Sequence, residues 1–369
     1  MKVLFIVSSL SRGGPTRVLL DLASKLKEKD VRIQVLTISS DVPNSAKIDF
    51  LNYGIDVLSL NMNRLSFFVR GKITIKKVLS QLKPDIIHSM GVRSDYIIST
   101  LKNYCSIQVS TIHCFAIEEY KYVYGNLVGT YLAKKQINAM NKMKMPICCS
   151  FSIKEKYENT VSIKNNLLRT IQNGINVEKY AFRNEMAQKR KALHLPANKE
   201  IFVFVGRLTP HKNPILVIES FLKAQRPNSL LLIIGDGVLY KNCLEKQTDS
   251  VLVLGKTQNV NDYLESADFY ISASLTEGLP LSVIEAGVNG KTLLLSSIPQ
   301  HLEIVPTSFP GVQYFNPNNF NELERSIISV KKQNEKKISL YFISRFSSDR
   351  MAEEYYESYC ELIGETTKK

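Results

Sequence analysis

IFVFVGRLTPHKNPILVIESF, residues Ile201–Phe221, reads as one complete structural unit. An unbroken apolar run, Ile201 to Val205, has the character of a strand covered on both faces, as parallel sheets between helices require. A polar loop follows, and Pro214, suited to the first turn of a helix, opens an amphipathic segment. The same unit recurs outward in both directions. Leu230 to Ile234, Val251 to Leu254, Phe269 to Ser272 and Thr292 to Leu295 read as further strands of one sheet. Towards the N-terminus, Val3 to Val7, Ile33 to Ile38, Asp56 to Leu60, Asp85 to His88, Ile107 to Ile112 and Ile147 to Cys149 read as strands of another. Segments of helical period lie between them, among them Pro15 to Lys27, Phe68 to Leu82 and Tyr122 to Asn141. This alternation predicts an α/β protein built as two doubly wound, Rossmann-like domains, with the ligand at the carboxyl ends of the strands in a cleft between them.

The 369 residues are enough for two domains and a shared extra element. Asn173-Gly174 suits a hinge, so we expect a first domain over 1–175 and a second over 176–346. A last helix, 347–369 with its periodic part from Ser347 to Leu362, follows the second sheet and is expected to cross back to the first domain. Apolar residues are 44% and charged residues 22%, with 17 Gly and 13 Pro, a composition that excludes fibrous and disordered chains. No apolar run reaches the length of a membrane span, and no cleavage signal follows Met1, so we expect neither a secreted nor a transmembrane protein. Cys105, Cys114, Cys148, Cys149, Cys243 and Cys360 lack metal-ligand spacing and read as reduced cytosolic thiols, mostly core filler. The net charge of +14 is concentrated in the first half, where residues 1–175 hold 25 Lys/Arg against 12 Asp/Glu. No zinc spacing, helix-turn-helix pattern or aromatic-interleaved basic stripe accompanies that charge, which argues against a nucleic-acid module.

Three loops carry chemistry. Gly13-Gly14-Pro15, after the first strand, lets backbone amides and a helix dipole approach an anion, although neither a G-x-G-x-x-G nor a P-loop pattern is present. Arg207 and Lys212, five residues apart beyond a strand's carboxyl end, suit a pyrophosphate whose charge grows as it leaves. In EGLPLSVIE, Glu277 lies in a loop after a strand. Pro280 can open a helix that carries Leu281 and places Glu285 one to two turns in, while the amides near Gly278 and Leu279 face a sugar or phosphate. Carboxylates so placed accept hydrogen bonds from vicinal hydroxyls.

With these segments in order, joined by TIHCF, NGINVEKY, LLIIGDG and a terminal FSSDRMAEEYYESYCEL, nearly the whole chain resembles family 4 of the retaining GT-B glycosyltransferases. The resemblance implies sugar transfer from a nucleoside-diphosphate sugar, UDP favoured, with retention of anomeric configuration and with no metal or other cofactor. By position it implies that Arg207 and Lys212 hold the diphosphate, Glu285 the ribose hydroxyls and Glu277 the donor sugar. Gly13 and Gly14 flank the phosphates, Gly278, Leu279, Pro280 and Leu281 line the donor site, and His113 stands at the reaction centre. His88 is a secondary candidate on the acceptor side; His194, His211 and His301 carry no functional argument. SIPQHLEI, where many members carry a Gly-Gly turn, resembles a subset from surface-polysaccharide assembly, implying a saccharide or lipid-linked acceptor and a capsule, exopolysaccharide or lipopolysaccharide context. A nucleotide-sugar epimerase and an inactive nucleotide-sugar-binding partner subunit are the alternatives. The basic first domain further predicts reversible attachment to the anionic cytoplasmic face of a membrane, through Leu65 to Leu79 or Val123 to Met145 and the lysines 134, 135, 142 and 144.

Overall fold

The computed structural model describes residues 1–101, 107–163 and 168–367; Cys105 and its expected thiol character lie outside them. The chain divides into two units, Met1–Ile175 with Ser348–Lys369, and Asn176–Ser347. In the first, strands β1 (Lys2–Val7), β2 (Arg32–Thr37), β3 (Asp56–Ser59), β4 (Ile86–Met90), β5 (Ile107–Ile112), β6 (Met145–Cys148) and β7 (Arg169–Thr170) form one sheet in the order β3-β2-β1-β4-β5-β6-β7. In the second, β8 (Glu200–Val205), β9 (Ser229–Ile234), β10 (Val251–Gly255), β11 (Phe269–Ser272), β12 (Thr292–Ser296) and β13 (Val312–Phe315) run β10-β9-β8-β11-β12-β13. All these pairings are parallel. Both sheets are therefore wound outward from a central pair, β1/β4 and β8/β11, where the strand order reverses.

The strand interiors account for this arrangement. β9 is buried along its whole length, and Phe202, Phe204, Leu231, Ile233, Phe269 and Ile271 pack with the helix Pro214–Ala224 on one face of the second sheet. Strands apolar on both faces cannot tolerate water on either, so helices must cover each side. The loops after β8 and β9 press backbone against backbone. Gly235 has φ +149°, and a Cβ there would lie 1.8 Å from the Gly206 carbonyl oxygen, which is why LLIIGDG needs glycine at that point.

Several sequence expectations are corrected. The helix expected over Tyr122 to Asn141 is two helices, Ala116–Tyr124 and Asn126–Met140, broken at Gly125, whose φ of +76° favours glycine. The short edge strands β7 and β13 were not anticipated. Among the cysteines, Cys148, Cys149 and Cys243 are buried, and burial pushes the Cys148 thiol up to about 12; Cys360 is exposed and fills no core.

The closing helix, Ser348–Thr367, packs within the first unit. Its buried Tyr355 and Tyr359 meet a polar chain beneath it. The Tyr359 hydroxyl lies 2.6 Å from His88 Nδ1, His88 Nε2 lies 2.8 Å from Thr111 Oγ1, and that hydroxyl is 2.7 Å from the Tyr355 hydroxyl. The helix is acidic where the first unit is basic: Asp349 pairs with Lys25 at 3.0 Å, Glu353 with Lys29 at 2.5 Å, Glu361 with Arg169 at 2.5 Å and Glu365 with Lys144 at 2.9 Å. Exposed pairs contribute little singly, but this row fixes which way the helix lies.

Candidate active site

In open α/β sheets ligands bind outside the carboxyl ends of the strands where the winding reverses. In the second unit that point lies between β8 and β11. Their following loops, 206–213 and 273–280, carry Arg207, Lys212, Glu277 and Gly278. The first loop ends in the tight turn Pro210–Lys212, after which Asn213, at φ +54°, redirects the chain into the helix from Pro214. The loops are stitched together by the Leu275 amide donating to the His211 carbonyl at 2.7 Å.

Across this stitch the Lys212 ammonium meets Glu277 Oε1 in a close ion pair, with the side chains only 16% and 8% exposed. The same oxygen accepts from Ser274 Oγ at 2.7 Å. Burial by itself would raise the Glu277 pKa, but the Lys212 charge and hydrogen bond, with that from Ser274, outweigh it and hold the carboxyl below its ordinary value. The site therefore contains a preformed cation and carboxylate in a partly desolvated recess. Arg207 stands exposed at its rim. Leu279 and Pro280 are buried, Gly278 and Leu281 half-buried, and the helix Leu281–Val288 carries Glu285 at 2% exposure.

One residue that sequence reasoning passed over supports this loop. His301 is buried beneath it in the helix Pro299–Ile304. Its Nδ1 donates to the Ser296 carbonyl at 2.8 Å, which leaves Nε2 as the acceptor facing Ser272 Oγ at 3.3 Å. Ser296 Oγ in turn donates to the Ser274 carbonyl at 2.6 Å, so the histidine braces the strand ends from which the Glu277 loop springs. Burial lowers its pKa to about 4, against the opposing pull of Glu277. Only its position after β12 could have signalled this role.

The first unit holds the remaining candidates. Gly13 caps the helix Gly14–Glu28 in extended conformation, and a Cβ there would meet nothing within 4 Å, so no neighbouring protein atom dictates glycine. The open space lies where bare amides at the start of a 15-residue helix would face an anion. His113 follows β5, and its Nε2 is shielded from solvent with no hydrogen-bond partner. Burial lowers its pKa to about 4, so this nitrogen belongs to a neutral imidazole. An unpartnered buried ring nitrogen costs free energy unless a ligand satisfies it. His88 differs: both of its ring nitrogens are engaged by Tyr359 and Thr111 and burial drives its pKa to about 3, so the acceptor-side role is withdrawn and it is a core residue. His211 is buried, in keeping with loop filler. Among the described residues, no three His, Cys, Asp or Glu side chains form a group that could hold a metal ion.

Two parallel doubly wound sheets, one with a cation–carboxylate pair at its switch point, define an α/β protein of the Rossmann-like, doubly wound class. The family model "Glycosyl transferases group 1" matches residues 185–341, and "Glycosyltransferase Family 4" matches residues 12–179. This chain belongs to that family and is a glycosyltransferase. It is 30% identical over 264 residues to the UDP-Gal:alpha-D-GlcNAc-diphosphoundecaprenol alpha-1,3-galactosyltransferase of Escherichia coli, over 66% of this chain and 65% of the relative. It is 24% identical to the E. coli O-antigen biosynthesis glycosyltransferase WclY over 99% of both chains. The structure of Anabaena Alr3699/HepE, solved in complex with UDP, superimposes with a TM-score of 0.81 over 98% of this chain and 100% of that one, at 18% identity, and shares the GT-B fold.

Proposed function

We propose that this glycosyltransferase moves a sugar from a UDP-sugar to a saccharide or lipid-linked saccharide in cell-surface polysaccharide assembly at the cytoplasmic side of the membrane, with retention and without a metal. The Lys212–Glu277 pair at the switch point carries the reading. The bond from the anomeric carbon to the β-phosphate oxygen breaks, and the diphosphate takes the electron pair. The acceptor hydroxyl forms its new bond on the same face, its proton passing to the leaving phosphate. Arg207 and Lys212 neutralise the charge that grows on that group, which in a recess of this kind lowers the barrier by about 3 kcal/mol per donor. Glu277 then has two tasks, holding the Lys212 ammonium in place and accepting from donor-sugar hydroxyls, while Glu285 accepts from the ribose. Gly278, Leu279, Pro280 and Leu281 wall the donor, Gly13 and Gly14 offer amides to the phosphates, and the vacant Nε2 of His113 is available to the sugar at the reaction centre. The names of the relatives, which include a UDP-galactose enzyme acting on a diphosphoundecaprenol acceptor and an O-antigen enzyme, support the choice of donor and context.

A thermal-shift series of UDP, GDP, ADP and NAD tests the donor assignment, because a ligand bound to the folded state alone raises its stability with concentration. UDP should give the largest shift; equal stabilisation by NAD would refute the assignment. Transfer should also persist in EDTA, and rescue of a chelated enzyme by manganese would overturn metal independence.

A further inference from the structure

His113 is joined to the helix Ala116–Tyr124 by only two residues, so the backbone at 114–116 sets where its ring points. Phe115, the residue before that helix, is extended and its side chain caps nothing. The first amide of the helix, that of Ala116, therefore needs a partner from outside its own segment. The partner lies 41 residues on. The Tyr157 hydroxyl accepts from the Ala116 amide at 2.9 Å and donates to the Cys114 carbonyl at 3.2 Å, so one oxygen grips the backbone on both sides of Phe115.

The fold brings Tyr157 to this place. β5 and β6 are neighbours, and the Cys149 amide donates to the Ile112 carbonyl at 3.1 Å, so the loops that follow the two strands run side by side. After β6, Ser150 caps the helix Phe151–Thr160 by accepting from the Ile153 amide. Tyr157 lies about 9 Å along that helix. Helical side chains lean towards the N-terminus, and its ring accordingly reaches back to the loop that carries His113. The ring is fully buried and stands edge-on to Phe115, with 4.9 Å between centroids. Burial raises the phenol pKa well above its ordinary value, so the hydroxyl stays protonated and able to donate. Lys156 adds a second hold from the same helix, its ammonium 5.0 Å from the centre of the Phe115 ring and 2.5 Å from Glu118 Oε2.

We propose that Tyr157 is a positioning residue for His113: its hydroxyl fixes the 114–116 backbone so that the unpartnered Nε2 is held ready for the sugar at the reaction centre. The inference rests on the assignment of His113 to that centre. Tyr157 acts only through the histidine, because its hydroxyl is spent on two backbone groups and its ring is buried. A displacement of about 1 Å at a reacting centre can cost about 10² in rate. Losing both hydrogen bonds at once frees each end of the two-residue link. One turn further along the same helix, Tyr120 offers a comparison: its buried hydroxyl donates to Gln136, whose amide donates to Asp95 at 2.8 Å. That hydroxyl serves the packing of the helix on its neighbours and not the loop.

Tyr157→Phe keeps the ring and removes the hydroxyl, and Tyr120→Phe does the same at the comparison site. The first readout is the nitrogen NMR of the full chain carrying isotope-labelled histidine, which needs no working donor. The His113 ring signals, identified by their loss in His113→Ala, should broaden or split in Tyr157→Phe and stay as they are in Tyr120→Phe. The second readout is UDP release from UDP-galactose and UDP-glucose. Tyr157→Phe should lower kcat about tenfold with donor KM and the UDP thermal shift unchanged. Tyr120→Phe should lower stability alone, and Tyr157→Phe should have no further effect on kcat in a His113→Ala background. Unaltered His113 nitrogens in Tyr157→Phe, equal changes in Tyr120→Phe, or losses of kcat that add in the double variant would overturn the proposal. Native kcat in His113→Ala would instead refute the placing of His113 at the reaction centre, and the ring nitrogens would still decide whether Tyr157 holds it.

Discussion

Glu277→Gln isolates the charge of the carboxylate from its shape. The substitution leaves the Lys212 ammonium in a recess where its side chain is 16% exposed, with no carboxylate against it. Removing one member of a buried pair costs about 3–5 kcal/mol, and the solvent left to Lys212 argues for the lower end, about 3 kcal/mol. For a unit the size of Asn176–Ser347 that corresponds to a fall in melting temperature of about 6–12 °C, read by calorimetry without ligand. UDP should then stabilise the variant more than the native protein, because the unpaired ammonium is offered to the diphosphate. The extra shift that a UDP-sugar gives over UDP should vanish with the carboxylate that accepts from the sugar. An unchanged melting temperature would show that the pair is not coupled to folding. A smaller UDP shift in the variant would show that Lys212 does not face the phosphates.

Lys212→Ala and Arg207→Ala should each lower kcat by about 10² or more on a working donor and acceptor pair, while Glu285→Ala should act mainly on donor affinity; full turnover in both cation variants would displace the diphosphate from this loop. His88, His113 and His301 are held neutral in the fold, with pKa values pushed down to about 3, 4 and 4. The unfolded chain binds protons at these residues below about pH 6.5, so stability is fully present above that pH and is lost as pH falls through the window, by about 1.4 kcal/mol per unit for each histidine. Denaturant midpoints across that range measure the slope, and His88→Gln should remove one share of it. Gly235→Ala should destabilise the second unit by about 3 kcal/mol, since its Cβ would collide with the Gly206 carbonyl; a neutral result in chemical denaturation would refute that packing.

The central strands were legible because IFVFV and LLLII are apolar on both faces, a pattern that leaves little choice but a covered parallel sheet. VQYF, which forms β13, was illegible because it is half-buried at a sheet edge and carries no such run. The break at Gly125 hid inside a continuous helical period; in the structure the two helices pack so closely that a Cβ on Gly129 would approach the Tyr120 carbonyl to 2.4 Å. Arg207, Lys212 and Glu277 could be read as a set because strand ends and loops set their spacing. Neither the core role of His88 nor the bracing role of His301 could be read in sequence. One is satisfied by a tyrosine 271 residues away and the other by serines at two strand ends, and neither relation has a local signal.

The closing helix has a consequence for how the protein is made. Tyr355 and Tyr359 complete the core over His88 and Thr111, yet the ribosome delivers them only after all of 176–347 has emerged. Until then the N-terminal unit waits with a polar chain uncovered, with Lys29 and Arg169 lacking their partners Glu353 and Glu361 and Lys25 left with Glu28 alone. Its contacts with Ser348–Thr367 are among the longest in sequence separation, and such closures are slow. The second unit, made from one uninterrupted stretch, can fold first although it is synthesised second, so a nascent chain stalled near its end would present a finished donor-side unit attached to an unfinished partner.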